Sequence, residues 1–194
     1  MKLIDISRNL FEAPKYPTAP DTTFAHVGRL KDGDESNFHL YFSNTHAGTH
    51  ADADSHFVPD GDGICDMPLE QYYGPIRVIT VPEHSLLNKE DLLGRVEGAE
   101  RIALHGGGFT YLTKSAADYL IECGCRCLVT DAWSPAPLDN ETEIHRTLLS
   151  HHVGIIENVT LERVEDGDYQ LIAFPVNYGH VDGAPVRAVL VAED

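Results

Sequence analysis

Apolar residues along this chain recur mostly with the two-residue period of a half-buried strand or in short continuous runs, and only twice with helical spacing. The strand-like runs are Leu3–Ile6, Phe38–Phe42, Ile76–Val81, Ile102–Leu104, Cys127–Thr130, Gly154–Asn158, Leu171–Phe174 and Val186–Val191. One helix is predicted over Lys114–Cys123. Thr113 stands at its N-cap, Ala116, Tyr119 and Leu120 share a face, and Gly124 is placed to end it in the left-handed conformation. A second runs from Glu141 to about His152, with Ile144, Leu148 and Leu149 as its apolar stripe and Gly154 as its stop. Pro14–Phe24, with three prolines and no period, and the turn-rich Asp60–Pro68 read as ordered loops, the kind of segment that commonly holds sites. Strands outnumber helices, so the pattern predicts an α/β fold with a prominent mixed sheet and few helices rather than a doubly wound one.

Length and composition narrow the picture. The chain has 194 residues, of which 42% are hydrophobic, enough for one ordinary core, and no repeat or linker-like tract divides it, so a single domain over 1–194 is expected. The formal charge is −17, from 14 basic and 31 acidic residues. Such a surplus repels phosphate backbones and anionic lipid, which excludes nucleic acid as the main partner. No apolar stretch approaches the ~20 residues of a membrane span, and Lys2, Asp5 and Arg8 interrupt the start before a signal-like core develops. A cytoplasmic location is therefore expected, and the sequons at Asn140 and Asn158 are read as chance matches. Cys65 stands alone, while Cys123, Cys125 and Cys127 have a spacing that suits neither a zinc knuckle nor a disulfide framework. They read as buried thiols at a helix-to-strand junction.

The chemistry concentrates in residues 46–56, His-Ala-Gly-Thr-His-Ala-Asp-Ala-Asp-Ser-His, with three imidazoles and two carboxylates in eleven positions. Imidazole nitrogen and carboxylate oxygen are the donors that zinc and manganese accept, and a site poor in thiolate usually keeps a position open for water. His46 and His50 are four residues apart, but Gly48 and Thr49 lie between them and no H-E-x-x-H motif exists. The small spacers suggest an extended or looping segment whose His50 and Asp52 project to one side. A second half of the site is expected at His145 and Glu157. Glu157 follows Ile155-Ile156 and precedes Val159 and Leu161, so it sits in a run that reads as a buried strand. An unpaired buried carboxylate there costs several kcal/mol, and a cation resolves the cost. The remaining histidines, at 26, 39, 84, 105, 151, 152 and 180, read as ordinary surface or core residues.

Two fragments imitate other chemistry. His105-Gly106-Gly107-Gly108 resembles a lipase oxyanion loop, yet no G-x-S-x-G supplies a nucleophile. Asp60-Gly61-Asp62-Gly63 resembles part of a calcium loop, yet Ile64 stands where a third ligand belongs, so it reads as a turn.

With these residues in view, the chain resembles the metal-dependent cyclase/hydrolase family that includes bacterial kynurenine formamidase and isatin hydrolase. The family signature, H-x-G-T-H-x-D-x-P-x-H followed much later by H-x(11)-E, is matched at 46–56 and at His145 to Glu157 with its spacing intact. Lesser similarities at Tyr16-Pro17, Asp60-Gly61, Pro68-Leu69-Glu70, Gly74-Pro75 and His145-Arg146 extend it along nearly the whole chain. The resemblance implies a swivelling β/β/α domain, assembled as a dimer or higher oligomer. It also implies a site with divalent zinc or manganese, two ions in all. His46 and His50 would bind one metal, with His50 or its neighbourhood close to the second; Asp52 and His145 would bind that second ion, and Glu157 would bind or bridge both. His56 would be the acid/base.

Two departures bear on function. Asp54 replaces the usual proline of the motif, adding a carboxylate that faces outward or joins the surroundings of the ligands. The tryptophan that kynurenine formamidases place near the N-terminal loop is missing; Pro17–Pro20 stands there, and the single tryptophan is Trp133. Trp133, with Phe24 or Tyr16, is the candidate wall for a planar substrate, against the plain alternative of a packing tryptophan. The first functional reading is hydrolysis of a non-peptide carbon–nitrogen bond in a small molecule (a formamide, arylformamide or cyclic amide) by water activated at the metal. The rivals are a cyclase or lyase using the same ions on a hydroxy or keto substrate, and a metal-binding module without catalysis.

Overall fold

The computed structural model describes residues 1–192. Its strands are β1 (Lys2–Asp5), β2 (Thr23–Gly28), β3 (Phe38–Phe42), β4 (His50–Asp52), β5 (Tyr73–Thr80), β6 (Leu86–Leu87), β7 (Arg101–His105), β8 (Tyr111–Leu112), β9 (Cys127–Thr130), β10 (Gly154–Glu157), β11 (Gly167–Ile172), β12 (Gly183–Pro185) and β13 (Val189–Ala192). Its α-helices are α1 (Lys89–Leu92), α2 (Lys114–Glu122) and α3 (Glu141–Leu149). The apolar runs of β5, β7, β9 and β10 pair in parallel, because α1, α2 and α3 in turn carry the chain back between them. Antiparallel strands extend this centre on both sides into one nine-stranded mixed sheet of order β1-β13-β11-β5-β7-β9-β10-β4-β12.

The sheet separates two apolar cores. Leu120, Ile144, Leu148 and Leu149 from α2 and α3 bury against Ile102, Leu128 and Ile155 on the helical side. Val78, Val129, Ile156, Leu171 and Leu190 form the other core with Tyr72. Successive strand residues thus alternate between cores, as the two-residue period requires. The helices end as their local chemistry dictates. The Thr113 hydroxyl accepts from the Ala116 amide at the start of α2, and Gly124 takes φ 79° after it. The four cysteines are free; Cys125 and Cys127 are buried and Cys123 half-buried at this junction, and burial pushes the Cys125 thiol up to about 12.

The strand-rich mixed sheet with few helices agrees with the sequence reading, while several boundaries differ. Helix α3 stops at Leu149 rather than His152, and His152, not Gly154, takes the left-handed turn, with φ 55°. Pairing with β5 starts β11 at Gly167, and β13 begins only at Val189, after Val186 has made an isolated bridge to Pro175. The β2–β3 hairpin leaves Phe24, Val27, Phe38, Leu40, Tyr41 and Phe42 exposed, so its apolar pattern serves neither core. One short strand matters most: β4, three residues of His-Ala-Asp with no β-branched side chain, is held as a strand because β10 and β12 pair along both of its edges. Among the described residues no helix is long and apolar enough to cross a membrane.

Candidate metal centre and cleft

Strand register builds the site. Along β4 the side chain of Ala51 faces the core it shares with Ile156 and Ala184, so His50 and Asp52 point to the opposite face. Glu157 on β10 stands directly across from His50 and so joins them. The result is three buried ionisable groups, His50, Asp52 and Glu157, whose donor atoms lie within 4.8 Å of one another. His145, buried on the inner face of α3, completes the cluster with Nε2 3.3 Å from Glu157 Oε1 and 3.7 Å from Asp52 Oδ2.

Each imidazole is fixed by its other nitrogen. His50 Nδ1 lies 2.9 Å from the Gly48 carbonyl, and His145 Nδ1 lies 2.9 Å from the Glu141 carbonyl, so both rings aim Nε2 at the carboxylates. His46 places Nδ1 3.0 Å from Asp52 Oδ1 and Nε2 3.0 Å from Asp182 Oδ2. His56 stacks on His46 with ring centroids 3.9 Å apart, and its Nδ1 is 3.4 Å from the same Asp182 oxygen. His50 Nε2 lies 3.1 Å from Glu157 Oε2 and 3.4 Å from Asp52 Oδ1, but neither contact has hydrogen-bond geometry. That nitrogen and Asp52 Oδ2 are buried polar atoms without hydrogen-bond partners. Orphaned atoms of this kind, an imidazole nitrogen and a carboxylate oxygen in one cluster, are the donor set a divalent cation satisfies.

Electrostatics agree. Burial opposes charge on His46, yet Asp182 and Asp52 outweigh it and lift its pKa to about 9. Burial opposes charge on His50 as well, and Asp52 and Glu157 carry it to about 10. The same contest raises His145 through Glu157. Burial resists ionisation of Asp52, but His46 and His50 hold it well below the usual carboxylate range. His46 and His56 hold Asp182 well below the usual carboxylate range as well. The buried carboxylates therefore draw protons onto the rings around them, and a cation would take the place of those protons.

The rest of the motif is scaffold. Thr49 accepts from the Arg8 amide and donates to the Asn158 carbonyl, both at 2.8 Å, tying the N-terminal segment to the end of β10. At Gly183 a Cβ would come within 2.8 Å of the His46 ring, so glycine leaves that ring its room. Asp54 is buried, and its Oδ2 lies 2.6 Å from His152 Nδ1 rather than against any of the five ligand candidates. Gly61 in the Asp60–Gly63 turn packs where a Cβ would meet the Asp54–Ser55 backbone, so this turn supports the 3-10 segment Asp54–His56 that presents His56.

Beside the cluster lies a cleft of about 250 Å³ lined by His46, His50, His56, His145 and Glu157, together with Tyr16, Phe57, Trp133 and Glu141. Trp133 and Tyr16 meet edge to face at 5.1 Å, and the Tyr16 hydroxyl donates to Glu141 Oε2 at 2.8 Å. Phe24 does not line this cleft; its ring packs on Phe11 and on the hairpin histidines. The glycine loop has a different use from the one it imitates. The amides of Gly106, Gly107 and Gly108 donate to the buried Asp131 carboxylate at 3.0–3.2 Å, which anchors the turn that carries Trp133. Sequence reading passed over Asp182, Glu141, Asn158 and the role of Thr49; Asp182 in Val-Asp-Gly carries no signal beyond that of a turn.

The sequence profile of the Cyclase family matches residues 4–137. A kynurenine formamidase from Bacillus anthracis is 35% identical over 202 aligned positions covering 97% of each chain. One from Bacillus cereus (strain ATCC 10987 / NRS 248) is 40% identical over 157 positions, 75% of each. Among solved structures, a predicted metal-dependent hydrolase from Bacillus stearothermophilus superposes with TM-score 0.83 and 25% identity over 97% of each chain. Isatin hydrolase A from Labrenzia aggregata superposes with TM-score 0.83 over 99% of this chain and 94% of that one, at 19% identity, and so shares the fold.

The proton-filled rings make a prediction. With pKa values near 9 and 10 against 6.5 unfolded, His46 and His50 stabilise the metal-free protein fully below about pH 6.5, and that contribution fades as pH rises through 9 to 10. Asp52, depressed below 3.8, contributes above that value and loses its contribution in acid. A metal ion needs the rings neutral, so the rise in melting temperature on adding zinc to chelator-treated protein should grow from pH 6 to pH 9. A rise independent of pH would contradict the assignment.

Proposed function

This chain belongs to the cyclase family, and from that membership we propose that it is a metal-dependent hydrolase of a non-peptide carbon–nitrogen bond, acting on a small formamide, arylformamide or cyclic amide. The observation that carries the reading is the buried His50, Asp52 and Glu157 cluster, with its unpartnered nitrogen and oxygen, opening beside His56 into the cleft. His46, His50, Asp52, His145 and Glu157 are the proposed ligands. A divalent ion held by them would supply Lewis acidity toward a carbonyl and would bring the pKa of water toward ~7.

The chain's own groups do the rest. His56 is about one quarter exposed and Asp182 faces its Nδ1, so Nε2 is the atom free to exchange a proton with the cleft. As water adds to the carbonyl carbon, His56 Nε2 takes its proton. When the carbon–nitrogen bond breaks, the same proton passes to the departing nitrogen, giving an acid and an amine. Stacking on His46 keeps the ring in place between the two steps. Tyr16, pushed up to about 12 by burial and by Glu141, stays protonated and keeps its hydroxyl committed to Glu141. Trp133, which lines the cleft, offers an apolar wall for a planar group. A cleft of about 250 Å³ favours one ring with a short substituent.

Zinc or manganese as the ion, two ions per site, and assembly as a dimer or tetramer belong to the same proposal. The hard and borderline donors of the cluster and the exposed apolar hairpin β2–β3 support it; elemental analysis with light scattering tests it. The direct experiment is turnover of N-formylkynurenine, isatin and simple formamides by metal-loaded protein. His56→Ala should keep its metal and lose roughly 10²- to 10⁴-fold in kcat. Loss of metal together with activity would make His56 a ligand, and an undiminished rate would remove it from the mechanism. Trp133→Ala should raise KM for aryl substrates well above its effect on simple formamides, at unchanged metal content. Equal effects together with a lower melting temperature would assign Trp133 to packing alone.

A further inference from the structure

A second cluster of metal-binding side chains lies outside the cleft. His180 stands 114 residues beyond Asp66 and 115 beyond Cys65 in the chain, yet the donor atoms of the three fall within 4.8 Å of one another. His180 Nδ1 is 3.4 Å from Cys65 Sγ and 2.7 Å from Asp66 Oδ2. The backbone fixes this meeting. The Ile64 amide donates to the Val181 carbonyl at 2.9 Å, and the Cys65 amide donates to the Gly179 carbonyl at 3.3 Å. Gly63 makes the approach possible, since a Cβ there would lie 2.7 Å from the His180 Cα.

We propose that Cys65, Asp66 and His180 form a surface site for a borderline-soft divalent ion, with zinc as the natural occupant, separate from the buried cluster on β4 and β10. The donor set is one thiolate, one imidazole and one carboxylate, which zinc accepts and which magnesium and calcium do not favour. Zinc bonds of ~2.3 Å to sulfur and ~2.0 Å to nitrogen at a tetrahedral angle hold the two about 3.5 Å apart. The sulfur and nitrogen here already stand 3.4 Å apart. Asp66 Oδ2 now shares a proton with Nδ1. Binding releases the thiol proton to solvent and leaves the ring proton on Nε2, so the ion takes the place of a proton at both Sγ and Nδ1. His180 is largely exposed, which leaves the fourth tetrahedral position to water.

The site has a consequence for the cleft. His180 is two residues from Asp182, whose carboxylate meets His46, His56 and the Thr45 hydroxyl. An ion tying His180 to Cys65 and Asp66 closes the segment that carries Asp182 onto residues 63–66, and so steadies the carboxylate that faces His56.

Cobalt(II) distinguishes this site from the buried one, because a thiolate ligand gives cobalt an intense near-ultraviolet charge-transfer band and the buried cluster contains no sulfur. Full-length protein, stripped with a chelator and kept reduced with a phosphine, is titrated with cobalt chloride. The band should grow to saturation at one thiolate-bound ion per chain. Cys65→Ser should abolish it. His180→Ala should weaken the affinity read from it by roughly 10-fold or more, since even partners behind a ligand are worth that much. Circular dichroism confirms that both variants are folded. Absence of the band, its persistence in Cys65→Ser, or an unchanged affinity in His180→Ala would each overturn the proposal. None of these outcomes depends on whether the buried cluster hydrolyses an amide.

Discussion

Two carboxylates, Asp52 and Glu157, are buried near each other on the adjacent strands β4 and β10, toward one edge of the sheet, and most of the surrounding structure answers that cost. Neighbouring negative charges removed from water each carry a penalty of several kcal/mol unless compensated. The compensation comes from three imidazoles, and their raised pKa values measure how strongly the carboxylates demand positive charge. Protons can meet the demand in part. They leave His50 Nε2 and Asp52 Oδ2 without hydrogen-bond partners, and a divalent ion removes both deficits at once.

Rigidity is supplied from outside the cluster. Each ring nitrogen that turns away from the carboxylates has an acceptor near it: the Gly48 carbonyl, the Glu141 carbonyl or Asp182. Thr49 ties the N-terminal segment to the strand end that bears Glu157, and Asp131, held by three glycine amides, does the same for the turn of Trp133. The cleft is therefore assembled from segments far apart in sequence, each anchored by buried polar contacts, on a sheet whose centre is parallel and apolar. His56, the proposed acid/base, stands beside this assembly on a short 3-10 turn supported by Gly61.

How much of this could be read from the chain alone depended on the range of the interaction. The parallel strands β7, β9 and β10 were legible because their apolar runs are continuous, and α2 was legible because Thr113 and Gly124 mark its ends locally. Strand β4 was legible only as an extended or looping segment with His50 and Asp52 to one side: His-Ala-Asp has no strand propensity, and its two neighbours make it a strand. The spacing of 46–56 with His145 and Glu157 brings the ligand candidates into view, and the structure draws the five side chains together, with His46, His50, His145 and Glu157 lining the cleft and Asp52 buried against them. Phe24 was drawn in by proximity in sequence to Tyr16, yet the hairpin carries it away from the cleft. Asp182 escaped notice because a lone Val-Asp-Gly resembles any turn, and its partners lie 126 residues or more away in sequence.

The central claim is that the buried carboxylates exist to hold a cation, and an anomalous-scattering map of zinc-loaded crystals tests it most directly. The account predicts a zinc peak at bonding distance, ~2.0–2.2 Å, from His50 Nε2 and from a carboxylate oxygen of Asp52 or Glu157. Zinc found only elsewhere on the molecule, with the His50 ring still facing an ion-free pair of carboxylates, would contradict it.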